Sequence, residues 1–249
     1  MVAIDNIGVI EAEGARVVAA LGSGRDARIP WSEDWTVATC AQHVGGAHHV
    51  VAQVVKDRPT ADFGLFSSLA LPDRDSPELA DWIAEGTATL VTALAATDPD
   101  AECWSWWPEG RTAGFWQRRM AQETLVHRWD AELGAGVRGT PMDPAVAADG
   151  VDEYLDVFAG LTRVVHTAPA GPSVHVHCTD SEGEWLLQLP AAGERVLTRE
   201  HAKADVALRG PAEGLLLMMW GRVDSTAANV EMIGDTDIVN RWVELFPPM

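Results

Sequence analysis

The chain is poor in cysteine and in basic residues, and it has no long apolar run. Its three cysteines, Cys40, Cys103 and Cys178, are odd in number, far apart and form no Cys-x-x-Cys pair. That excludes a disulfide framework. Eighteen Lys and Arg stand against thirty-seven Asp and Glu, for a net charge of −19. Phosphate binding needs a basic face, so a nucleic-acid binder is excluded, as is docking on anionic lipid. No stretch approaches the roughly 20 apolar residues that span a bilayer. Residues 1–18 carry acids within the apolar pattern and no basic segment, so this stretch is not expected to act as a signal peptide. A cytoplasmic protein without a membrane or nucleic-acid partner is therefore expected. What is present, 249 residues at 47% apolar content, suffices for one large or two small globular domains.

The hydrophobic period divides the chain in two. Spacings near 3.6 predict helices over residues 4–21, from Trp35-Thr36 to about Lys56, from Ser76 (N-cap, with Pro77 at N1) to Ala96, over 114–133, and from Asp143-Pro144 through Phe158. A loop at 97–110 carries Trp104, Trp106 and Trp107, which either cap a bundle or wall a pocket. After about Pro169 the period falls to two. Residues 173–178, 184–189, 195–199 and 205–208 read as four short antiparallel strands, followed by a buried helix over 211–220 and a last helix over 238–246. Helices first and strands later predict an α+β chain of two domains. These are a four-helix bundle over 1–165 and a smaller α+β unit over 166–249, with the boundary within 160–170.

The most informative stretch is GFWQRRMAQETLVHRWDAEL, residues 114–133. On a wheel of roughly 100° per residue, Glu123, His127 and Asp130 share a face with Trp116, Met120, Val126 and Leu133. Arg118, Ala121, Leu125, Arg128 and Glu132 take the other. An amphipathic helix turns its apolar stripe to the core, so the ionisable side chains go inward, where they need partners. Glu123 and His127 are one turn apart. On the second helix the wheel turns His43 inward and the neighbouring His48 and His49 mostly away. Two imidazoles and a carboxylate make a divalent-metal site with an open position, suited to Zn²⁺. Asp130 is placed behind them to fix a ring or bind substrate. The competing reading is a buried Glu123–His127–Arg119 network that only locks the bundle. Gly45-Gly46 in mid-helix suggests close helix approach or ligand access. His175 and His177 share one face of a strand, read as a partly exposed sheet face. Arg222, just past the buried helix, is either an anion-binding group or an ordinary helix-end arginine.

The runs DWTVATCAQHVGGAHHV, GFWQRRMAQETLVHRWDAE and DPAVAADGVDEYLDVF together resemble the mycothiol-dependent maleylpyruvate isomerase family. VHVHCTD and ADVALRGPAEGLLLMMWGR are similar, more loosely, to that family's second domain. The resemblance implies a DinB-like bundle and a sterol-carrier-like C-terminal domain. It also implies a divalent metal, usually zinc, on His43, Glu123 and His127, with mycothiol as thiol co-substrate. An arginine of the second domain is implicated in activity, and Arg222 is the matching candidate. Asp130 is the second candidate catalytic residue, and Trp106, Trp107 and Arg119 are the candidates for holding the cofactor. The expected activity is thiol S-transfer to an electrophilic small molecule, or thiol-dependent cis–trans isomerisation. The alternative is a non-catalytic protein that binds a small molecule or metal, using the second domain and the tryptophan loop.

Overall fold

Polar side-chain caps start four of the described helices. The computed structural model describes residues 3–58, 65–137, 139–159, 171–188 and 196–240. Asp5 accepts from the backbone N–H of Gly8 and opens α1 (Asn6–Gly24). Thr36 caps α2 (Val37–Asp57), and Thr112 caps α5 (Ala113–Gly134) by accepting from Phe115. Each such cap satisfies an amide that the helix leaves unpaired, typically worth about 1 kcal/mol. A short helix, α3, spans Leu65–Ser68, and α4 spans Leu79–Ala95. The expected start of α4 at Ser76-Pro77 is corrected. Ser76 Oγ caps Glu78 only, and the Arg25 guanidinium holds the Ser76 and Arg74 carbonyls in a turn before the helix begins.

Two compact units divide between Thr140 and Pro141; the expected boundary at 160–170 lies outside the described residues. In the first unit, α1 packs on α4 and α5, and α2 packs on the same two helices. The core has two apolar clusters. Ile10, Val50, Val54, Leu90 and Trp116 belong to one; Val17, Leu21, Val37, Ile83 and Ala131 belong to the other. Each fully buried side chain of this kind contributes roughly 1.5–3 kcal/mol.

Because α5 has α1 on one side and α2 on the other, it is buried almost all round. The single-stripe expectation is corrected here. Ala121, Leu125, Arg128 and Glu132 are also buried, while Leu133 is exposed. Burying Arg128 is tolerable because Glu13 of α1, Glu132 and the Thr140 carbonyl all accept from its guanidinium. The same geometry overturns the expectation for α2. His48 is fully buried between Thr87 of α4 and Thr124 of α5, whereas the His43 side chain is 43% exposed at the bundle's edge. A helix facing two neighbours has a wider inward arc than one wheel stripe. Gly45 lets α2 and α4 approach; a methyl group there would lie 2.6 Å from Trp82 and 2.9 Å from Ile83.

The second unit opens with α6 (Pro144–Glu153), whose last turn widens into a π-helical turn over Tyr154–Phe158. Tyr154 and Phe158 both pack edge-on against Trp220. The strands are β1 (Ser173–Cys178), β2 (Glu184–Gln188), β3 (Val196–Thr198), β4 (Val206–Gly210) and β5 (Glu231–Gly234), in the order β3-β2-β1-β4-β5. The sheet is mixed: β1 pairs with β4 in parallel, while the other three ladders are antiparallel. Helix α7 (Ala212–Met219) packs on α6 and β4, and Trp185 of β2 donates to Asp152 of α6. Val174, Val176, Trp185, Leu187 and Leu208 thus form the sheet's core face, with His175, His177 and Glu184 on the opposite one. Of the last expected helix, Asp237–Asn240 forms α8 and the rest lies outside the described residues.

Candidate metal centre

Glu123 and His127 on α5 meet His43 across the α2–α5 contact. Glu123 Oε1 lies 2.8 Å from His43 Nε2 and 3.4 Å from His127 Nε2. One donor atom from each of the three residues lies within 4.8 Å of the others. An ion with bonds of about 2 Å to each donor fits that spacing, and a His₂Glu set suits Zn²⁺, Ni²⁺ or Fe²⁺. The other Glu123 oxygen accepts from Arg119 Nη2 at 3.1 Å.

Asp130 stands behind His127. Its side chain is fully buried and accepts from His127 Nδ1 at 2.9 Å and from Trp31 Nε1 at 2.6 Å. A carboxylate only accepts, so Nδ1 carries the proton and Nε2 is the atom turned to Glu123. Burial opposes ionisation of Glu123. The charge of His127, hydrogen bonds from both imidazoles and the Arg119 guanidinium outweigh it and hold the carboxyl well below its usual range. Burial likewise opposes a charge on His127, but Glu123, then the bonds to Asp130 and Cys40, raise it well above 6.5. The bare site is thus a proton-holding ion pair, and a divalent cation competes for the same lone pairs. The Cys40 thiol donates to the His127 carbonyl at 3.3 Å and serves to seat the helix.

Two aromatic residues at this site were not singled out for it from the sequence. The Trp35 ring lies 5.2 Å from that of His43 and 5.5 Å, stacked, from that of His127. Trp31 holds Asp130. Both sit in the loop before α2, folded back by Ile29 N–H to Trp35 C=O and Val37 N–H to Ala27 C=O. A helical wheel says nothing about a loop, and the Trp-x3-Trp spacing alone carried no signal. The tryptophans chosen from sequence lie in the loop before α5. Trp106 packs edge-on against Phe115, and Trp107 offers its carbonyl to Ser105. Phe115 is eight residues before Glu123, about 12 Å along the helix. In the second unit, Arg222 donates to the Trp220 carbonyl at 2.8 Å, and its guanidinium carbon lies 6.0 Å from the centre of the Trp220 ring.

Comparison with known proteins bears on both units. The family model of the mycothiol maleylpyruvate isomerase N-terminal domain matches residues 8–132, and that of the family's C-terminal domain matches residues 145–241. A crystal structure of the mycothiol-dependent maleylpyruvate isomerase is similar at 15% identity and a TM-score of 0.57, over 88% of this chain and 89% of that one. A crystal structure of a mutant of that enzyme gives 14% and 0.58, over 89% and 90%. At such identity the likeness is one of fold. No curated protein matches.

Proposed function

Because the chain belongs to the mycothiol maleylpyruvate isomerase family, we propose that it is a metal-dependent enzyme that activates a low-molecular-weight thiol for attack on an electrophilic small molecule. The observation that carries this reading is the convergence of His43, Glu123 and His127 within 4.8 Å, with Asp130 fixing the His127 ring. A divalent ion held by those three residues, zinc by preference, would supply Lewis acidity sufficient to deprotonate a coordinating thiol.

The chain's own residues do the rest. Asp130 keeps the Nδ1 proton of His127 in place, so Nε2 is the nitrogen that would ligate once its own proton is displaced. Arg119 anchors one oxygen of Glu123 and fixes the carboxylate's direction. Trp35 packs against both imidazoles, while the exposed edge of His43 leaves an approach for the thiol. Mycothiol is the thiol the family implies, and Arg222 is the candidate to receive an anionic electrophile. With a cis-enoyl acid, the thiolate adds to the double bond, the resulting single bond rotates, and expulsion of the same thiolate gives the trans isomer. With an electrophile that carries a leaving group, the same attack gives an S-conjugate and releases that group.

The test is thiol consumption and isomer formation with and without chelator, in wild type and Glu123→Gln. We expect activity to fall at least 100-fold on chelation, to return with Zn²⁺ in wild type, and not to return in the variant. Undiminished turnover in metal-free protein would remove the proposal.

A further inference from the structure

A second cluster of ligating side chains lies on the sheet of the C-terminal unit. His175 of β1 is 6% exposed, and its Nε2 has no hydrogen-bond partner among the described residues. A buried nitrogen left in that state is unfavourable unless a ligand takes its lone pair or proton. Around it stand Glu184 of β2 and His201, which follows β3. One donor atom from each of the three lies within 4.8 Å of the others. The His175 and His201 rings meet edge-on at 5.1 Å. Glu184 Oε1 accepts from His201 Nδ1 at 3.2 Å and from His177 Nδ1. The β1–β2 register places His177 directly opposite Glu184, so strand pairing itself brings them together. A cleft of about 420 Å³ lined by His177, Glu184 and Glu200 opens beside the cluster.

We propose that His175, Glu184 and His201 form a second metal site, independent of the bundle site, which takes a divalent transition-metal ion of the Zn²⁺ type. The donors decide the class: two imidazoles and a carboxylate are too rich in nitrogen for Mg²⁺ or Ca²⁺ and lack the sulfur that Cu⁺ prefers. His177 holds the Glu184 carboxylate toward the ion, as an outer hydrogen bond does in other metal sites. The ion ties β1, β2 and the segment leading to β4 into one unit, a structural role.

The experiment is equilibrium dialysis of chelator-stripped full-length protein against Zn²⁺, with elemental analysis, on wild type, Glu123→Gln, His201→Asn and the double variant. The His201 side chain is 78% exposed, so its replacement leaves the fold in place. We expect two ions per chain in wild type and one in Glu123→Gln. His201→Asn should weaken that remaining ion at least tenfold without touching the bundle site, and the double variant should hold none. A single wild-type ion that disappears with Glu123→Gln would overturn the second site while leaving the first. Unchanged binding in His201→Asn would overturn it as well. Retention of both ions in Glu123→Gln would count against the bundle site instead.

Discussion

Single residues carry the proposed chemistry, and Asp130, bonded to His127 Nδ1, is the one that would make His127 a ligand instead of a floating base. Asp130→Asn offers an amide that cannot hold the Nδ1 proton as a carboxylate does. The expected result is Zn²⁺ affinity reduced about 10–100-fold, measured by competition with a fluorescent chelator. His48 sets a pH dependence of its own. Burial lowers it to about 4 from 6.5. The unfolded chain therefore takes up a proton below pH 6.5 that the folded chain refuses until about pH 4. Stability is full above pH 6.5 and falls as pH drops through that window, by about 2 kcal/mol at pH 5. Urea denaturation of metal-stripped protein should lose that slope in His48→Gln; an equal slope in both would contradict the assignment. Glu123 and His127 were legible in the sequence as a pair because Glu-x3-His on a helix fixes relative direction whatever the packing; His43 came from a wheel whose inward face the structure corrects. His48 and Trp35 were not, since their environments depend on which helices and loops arrive from far along the chain.

Periodicity located the helices, and the Asp143-Pro144 start agrees with the structure, whereas the Ser76-Pro77 signal marks a turn ahead of α4 and not its first residue. Other features resisted for physical reasons. Strand β5 is four residues long, mostly exposed and without alternation. The parallel sense of β1 and β4 depends on the path of the chain between them, which strand composition does not encode. Helix α5 hid its second buried face because Arg128 and Glu132 look like solvent residues until Glu13 is placed beside them. Gly45 was legible as an anomaly, and the structure assigns it to the α2–α4 contact. Gly45→Ala gains roughly 1 kcal/mol of helix propensity but forces a methyl group against Trp82 and Ile83. Overpacking of this kind costs about 1–3 kcal/mol. A net loss of about 1 kcal/mol in chemical denaturation is expected; a gain would mean that the helices separate freely.

At the scale of the molecule, the described residues form two units with separate cores, and no described helix is long and apolar enough to cross a membrane. The proposed bundle ion would link metal binding to stability. An ion present at about 1,000 times its dissociation constant stabilises the folded state by about 4 kcal/mol. Protons compete for the same imidazoles. His127 is raised well above 6.5, so affinity declines as pH falls below that raised value, by up to about tenfold per unit for each proton displaced. Scanning calorimetry should show a larger zinc-dependent rise in Tm at pH 8 than at pH 6. An equal rise at both would say that the ligands are not these histidines.

The mixed sheet also sets an order of assembly. His175 pairs with Leu186 within a hairpin, but with Ala207 across the parallel ladder. Roughly tripling the enclosed segment adds about 1 kcal/mol of closure entropy, and such non-local pairing is slow. The β1–β2 hairpin is therefore expected to form first and β4 to join its free edge later. Until it does, β1 presents an open row of amides to any passing strand, which makes this seam the place where refolding at high concentration goes astray.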